Sequence, residues 1–171
     1  MPGRRAFLQA GAAGALLLAA ARFADRPAHA ASRYRFLDEA HAPIIAALAP
    51  VVLAGSLPAD ASARAQATTT VVEAFDRAVS GLAVAVQEEI AQLLSLLAVT
   101  PARFAFAGLW TPIPEATPAQ VQAMLTGLRT SRFALRRSAY QALTQLIQAS
   151  WYGQPPSWGA IGYPGPPSLG I

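Results

Sequence analysis

The chain has 171 residues with no cysteine, and it sets thirteen arginines and no lysine against nine acids. That length suits one domain with one hydrophobic core. The missing cysteines exclude a disulfide scaffold, a CxxCH haem attachment, a cysteine-ligated iron–sulfur cluster and a cysteine nucleophile.

Residues 1–30 read as an export signal. Arg4 and Arg5 precede Phe7 and Leu8, and an uncharged run rich in Ala and Leu follows from Ala10 to Ala21. The run is too short for a bilayer core, which takes about 20 residues. Ala28 and Ala30 put small side chains at the −3 and −1 positions of a cleavage site, so Ala31 would begin the mature chain. The arginine pair with Phe-Leu behind it resembles the twin-arginine (Tat) signal. Gly3 stands where Ser or Thr is usual, and Gln9 where Lys is common. The resemblance implies the Tat translocase as a partner, the periplasm as destination, and passage in the folded state. The resemblance further implies the usual cargo of that route, a protein that carries a cofactor inserted in the cytoplasm or is bound to a partner that does.

Removing thirty residues from 171 leaves 141, and takes Arg4, Arg5, Arg22, Arg26 and Asp25 with it. Nine arginines then face eight acids, so no strong basic surface survives and nucleic acid is not an expected partner.

The body, residues 31–150, reads as helices. Asp38 to Ala54 is the first, with Asp38 as N-cap, Glu39 in the first turn, and Pro43 and Pro50 as kinks or restarts. Ile44, Ile45, Leu48, Val51 and Val52 would form its buried face, and Gly55-Ser56-Leu57-Pro58 closes it. A second helix spans Ala61 to Val79 with Val72, Phe75 and Val79 at helical spacing. A third spans Leu82 to Val99 with Leu82, Val86, Ile90, Leu93, Leu94 and Leu97 in a wide stripe, and the two read as an antiparallel hairpin.

Thr100-Pro101 stops the third helix and opens a short turn over Ala102 to Ala107. Gly108 to Glu115, with Trp110, Pro112 and Pro114, reads as an irregular connection. Thr117 is then an N-cap, Pro118 the first helical residue and Gln120 the capping-box partner. That helix holds Val121, Met124, Leu125 and Leu128 and breaks near Gly127 or Thr130. A last helix, Ser131 to Ser150, is expected to bury Phe133, Tyr140, Leu143 and Ile147. No β alternation and no repeat is visible. The expectation is an all-α bundle of five or six helices, with residues 151–171 as an extended arm rich in Pro, Gly and aromatics.

Few residues here could carry chemistry. His41 is the sole histidine of the mature chain. A di-iron bundle needs four carboxylates and two Glu-x-x-His pairs. Glu73, Asp76, Glu88 and Glu89 have no histidine near them in sequence and read as a solvated face. A b-type haem would want His41 with a ligand such as Met124, but core methionine and surface histidine is the simpler reading. No GxGxxG after a strand, P-loop, GxSxG or activated serine is present. No catalytic residue, cofactor or metal ligand is therefore expected.

Two features look outward. Arg129, Arg132 and Arg136 share one stripe if a helix runs through them, as a cationic ridge for an acidic partner or as a solvated face paired with Glu88, Glu89 or Glu115. The tail gathers Trp151, Tyr152, Trp158, Tyr163 and Pro164, with prolines at 155 and 156 that deny it a helix. Its rings either cap the bundle's own end or anchor a partner.

The leader, the helical body and the tail WYGQPPSWGAIGYPGPP together resemble the small (gamma) subunit of gluconate 2-dehydrogenase-type periplasmic oxidoreductases. Similar subunits accompany flavin-dependent dehydrogenases of the glucose–methanol–choline (GMC) class. Tyr152-Gly153, Trp158 and Gly162-Tyr163-Pro164-Gly165-Pro166 carry the resemblance most closely, and Phe36-Leu37-Asp38 more loosely. It implies a non-catalytic accessory subunit that supplies the export signal for a large FAD-dependent subunit and aids its folding or assembly. It also allows a multi-haem cytochrome c subunit as electron acceptor, and a complex held at the inner membrane. The alternative is a free-standing periplasmic helical module that binds a small apolar ligand between its helices.

Overall fold

In the computed structural model, residues 33–159 and 162–165 are described. The signal residues Arg4, Arg5, Phe7, Leu8, Ala28 and Ala30 lie outside them. Everything below concerns the unit that begins at Tyr34. Among the described residues there are seven α-helices, one 3-10 turn and no strand, so the fold is all-α.

The first helix, α1 (Ala42–Val52), occupies the middle. Asp38 starts it one turn early: its Oδ1 accepts the amides of Ala40 and His41, at 2.9 and 2.8 Å, and its carbonyl accepts the amide of Ala42. Pro43 sits in the first turn, where its missing N–H costs nothing. Pro50 is inside the helix near its end, so only the carbonyl one turn back loses a donor. Ala42, Ile44, Ile45, Leu48 and Ala49 are buried. A helix this apolar on every side must be enclosed, and α1 touches α2, α3, α5, α6 and the 3-10 turn.

Next, α2 (Ala61–Ser80) begins at Asp60, whose side chain accepts the Ala63 amide at 2.8 Å. It buries Val71, Val72, Phe75 and Val79 against α1 and α6. The expected hairpin with the following helix does not form. Having given its apolar stripe to α1 and α6, α2 leaves α3 (Val84–Ala98) to pack on α4 and α1 through Ile90, Leu94 and Leu97.

The segment read as a short turn is a helix, α4 (Thr100–Ala107), bent 103° from α3. Pro101 lies in its first turn, and Gly108 closes it in the left-handed region at φ 73°. A 3-10 turn (Ile113–Glu115) then buries Ile113 against α1.

Helix α5 (Pro118–Arg129) starts as its sequence prescribes: Gln120 N–H donates to Thr117 Oγ1 and Thr117 N–H donates to Gln120 Oε1. The chain breaks over 130–133 before α6 (Ala134–Tyr152), the longest neighbour of α2. Because α6 begins after Phe133, that ring is 49% exposed rather than buried. Leu143 and Ile147 are core residues and Tyr140 is partly buried. A final turn, α7 (Pro155–Trp158), corrects the expectation that prolines 155 and 156 forbid a helix, since both occupy first-turn positions that need no N–H.

Candidate docking surface

Two charged side chains, Asp76 and Arg103, are interior fasteners. Asp76 is buried, contrary to the solvated face expected for it. Its Oδ2 accepts the amide of Arg35 at 2.9 Å, and its Oδ1 accepts those of Phe36 and Leu37, both at 2.8 Å. Arg103 is fully buried at the bend between α3 and α4. It donates to the carbonyls of Leu97, Ala98, Leu109 and Trp110 and to Thr100 Oγ1. Leu97 and Ala98 carry carbonyls at the end of α3 that the bend would otherwise orphan, while those of Leu109 and Trp110 belong to the connection after α4. Both residues hold the fold together through their backbone partners.

His41 is half-sheltered. Its Nδ1 lies 3.2 Å from Asp38 Oδ1 and its Nε2 lies 3.2 Å from Ser95 Oγ. Burial lowers its pKa below the ordinary imidazole value, against the opposing charge of Asp38. Met124 is a core residue of α5. Among the described residues no group of three or more His, Asp or Glu side chains could hold a metal ion.

The tail residues separate into two kinds. Trp151 is 3% exposed and belongs to the core, so it is no surface anchor. Tyr152 is at the surface, its hydroxyl 2.8 Å from Ser56 Oγ in the α1–α2 connection. Trp158 Nε1 donates to the Tyr152 carbonyl, and the Tyr163 amide donates to the Trp158 carbonyl at 3.0 Å. The Trp158 and Tyr163 rings meet edge to face with centroids 5.4 Å apart. Gly165, at φ 101°, passes so close that a Cβ there would lie 3.2 Å from the Trp158 ring. This part of the tail folds back around Trp158, with Tyr163 and Pro164 on its outer side.

The arginine stripe is not continuous. The break at 130–133 takes Arg129 away from Arg132 and Arg136. Arg129 lines a small open groove of about 180 Å³ with Val52, Gln122, Leu125, Tyr140 and Gln148. Polar side chains predominate there, which does not suit an apolar ligand. Arg132 and Arg136 instead gather over the Phe133 ring, at 4.8 and 5.1 Å from its centroid.

Beside them lie exposed apolar residues that periodicity did not single out. Phe104 and Trp110 stack edge to face, 5.5 Å apart, and are 52% and 64% exposed. Leu135 is 72% exposed in the first turn of α6. Arg136 joins the two groups, because its Nη2 also donates to the Ala105 carbonyl of α4 at 2.8 Å. A sequence signal existed: Trp110 lies in a Gly/Pro-rich connection, and Phe133 and Leu135 stand among four arginines, too polar a setting for core.

No protein-family profile, no curated protein and no solved structure matches this chain. Among the described residues no single helix is long and apolar enough to cross a membrane.

Proposed function

We propose that this chain is a non-catalytic accessory subunit of a periplasmic flavin-dependent dehydrogenase. It supplies the Tat signal through Arg4, Arg5, Phe7 and Leu8, travels with the large FAD-dependent GMC-type subunit, and aids that subunit's folding or assembly. Oxidation takes place in the partner, and a multi-haem cytochrome c subunit is the natural electron acceptor beside it.

The observation that carries this reading is the tail. Tyr152-Gly153, Trp158 and Gly162-Tyr163-Pro164-Gly165 are the residues of the resemblance, and together they make the turn that closes on Trp158. The exposed rings on α4 and before α6 add support, since aromatic side chains next to arginines are the usual anchors of protein interfaces. The small polar groove gives the ligand-binding alternative no comparable support.

The test is recovery of the tagged full-length chain from periplasm. A large flavoprotein with flavin absorbance should co-purify, and replacing Arg4 and Arg5 by lysine should leave both proteins in the cytoplasm. A partner-free chain, together with unchanged export of the dehydrogenase in a strain lacking it, would sink the idea.

A further inference from the structure

We infer that the chain docks its partner through the face formed by Phe104, Trp110, Phe133 and Leu135 with Arg132 and Arg136, and that the partner is a folded protein offering an apolar hollow edged by carboxylates. This goes beyond the tail that the sequence points to. It rests on the reading above in one respect: that the chain works beside another polypeptide.

Four large apolar side chains here are about half exposed or more. Single exposed apolar residues are ordinary, but a cluster marks a contact site. The three rings are linked, because the Arg136 guanidinium lies over the Phe133 ring and also bonds the carbonyl next to Phe104, which meets Trp110; Leu135 adjoins Arg136 in the first turn of α6. Among the described residues no carboxylate lies within ion-pair distance of Arg132 or Arg136. Among those residues nothing neutralises their charge at ion-pair distance, and Arg136 is already held in place by the Ala105 carbonyl and the ring. A guanidinium fixed in this way loses little freedom on meeting a carboxylate and can bond it in two-pronged fashion. The Phe104–Trp110 pair is likewise set before binding, which suits hot-spot behaviour.

Charge also decides between occupants. A second copy docking the same face would place arginines against arginines. A lipid surface would gain about 1 kcal/mol per cation from the two arginines, and the apolar side chains come from three separate segments instead of the one amphipathic helix that lies in a membrane surface.

The experiment places a photo-crosslinking phenylalanine analogue in the full-length chain at Leu135 or, as control, at Val84. The two positions are equally open, at 72% and 71%. Val84 begins α3, roughly 20 Å along that helix from α4 at 1.5 Å per residue. Irradiation in cells should give a discrete adduct to one other polypeptide from Leu135 and none from Val84. Arg132→Glu with Arg136→Glu should lower that adduct roughly tenfold or more, the scale of a lost hot spot. Glu88→Ala, exposed on α3 one turn from Val84, should leave it unchanged, and circular dichroism should show all variants folded. An adduct that carries no flavin refutes the dehydrogenase reading and upholds the docking face. The docking face is overturned by no adduct at Leu135, an adduct of twice the chain's own mass, or Arg132/Arg136-dependent sedimentation with phosphatidylglycerol vesicles.

Discussion

Asp76 and Phe36 are 40 positions apart, yet the Phe36 amide points straight at Asp76 Oδ1, 2.8 Å away. The same carboxylate holds the amides on either side, at Arg35 and Leu37. One buried charge in α2 thus fixes three consecutive residues ahead of α1, and Leu37 enters the core as a result.

Asp76→Ala removes the carboxylate that these three amides share and should destabilise the fold by about 3 kcal/mol, the scale of lost hydrogen bonds to a buried charged group. Asp76→Asn should cost less. Its oxygen can still serve Phe36 and Leu37, but its NH2 group meets the Arg35 amide as donor against donor. Urea midpoints of the three proteins test the order, which fails if Asn is as harmful as Ala.

Arg103 closes the α3–α4 bend with five hydrogen bonds, and burial pushes its pKa down while Glu115 opposes the shift. Arg103→Leu leaves four backbone carbonyls without a donor and should cost roughly 3 kcal/mol or more. Arg103→Lys retains the charge but cannot reach acceptors on both sides of the bend, so it should rescue little. Amide hydrogen exchange should show protection falling first across Thr100–Ala107. Equal protection in variant and parent would refute this role.

His41 links stability to pH. Its pKa is lowered in the folded chain, first by burial and against the attraction of Asp38. The unfolded chain therefore binds a proton at higher pH than the folded one. The contribution is complete above the ordinary value of 6.5 and is lost as pH falls through the lower, folded value. The melting temperature should accordingly drop between about pH 7.5 and pH 5, and His41→Gln should flatten that drop. Parallel curves for the two proteins would remove His41 from this account.

Local signals were the legible part. Thr117, Pro118 and Gln120 announce a helix start by residue type, and the bonds match. The stripe Val72, Phe75, Val79 marks the buried side of α2 because periodicity reports burial directly. What packs against that stripe is a tertiary fact, so the expected α2–α3 hairpin was wrong. Asp76 and Arg103 were illegible for a related reason, since a charged residue looks solvated until its distant backbone partners are known. Phe133 misled by spacing alone: it fits the period of α6, but the helix begins one residue later. The docking face combines all three obstacles, since its rings come from α4, the following connection and the start of α6.

The placement of α1 sets an order of events at the ribosome. This helix, greasy all around, is synthesised first, yet the last wall of its jacket, α6, ends at Tyr152. Roughly a hundred residues must emerge in between, which at 5–20 residues per second takes about 5–20 s. Throughout that interval α1 is covered only in part, by whichever of α2, α3, the 3-10 turn and α5 have already emerged. A holding chaperone would find its binding segment there, and a chain cut short before Ala134 would aggregate rather than fold.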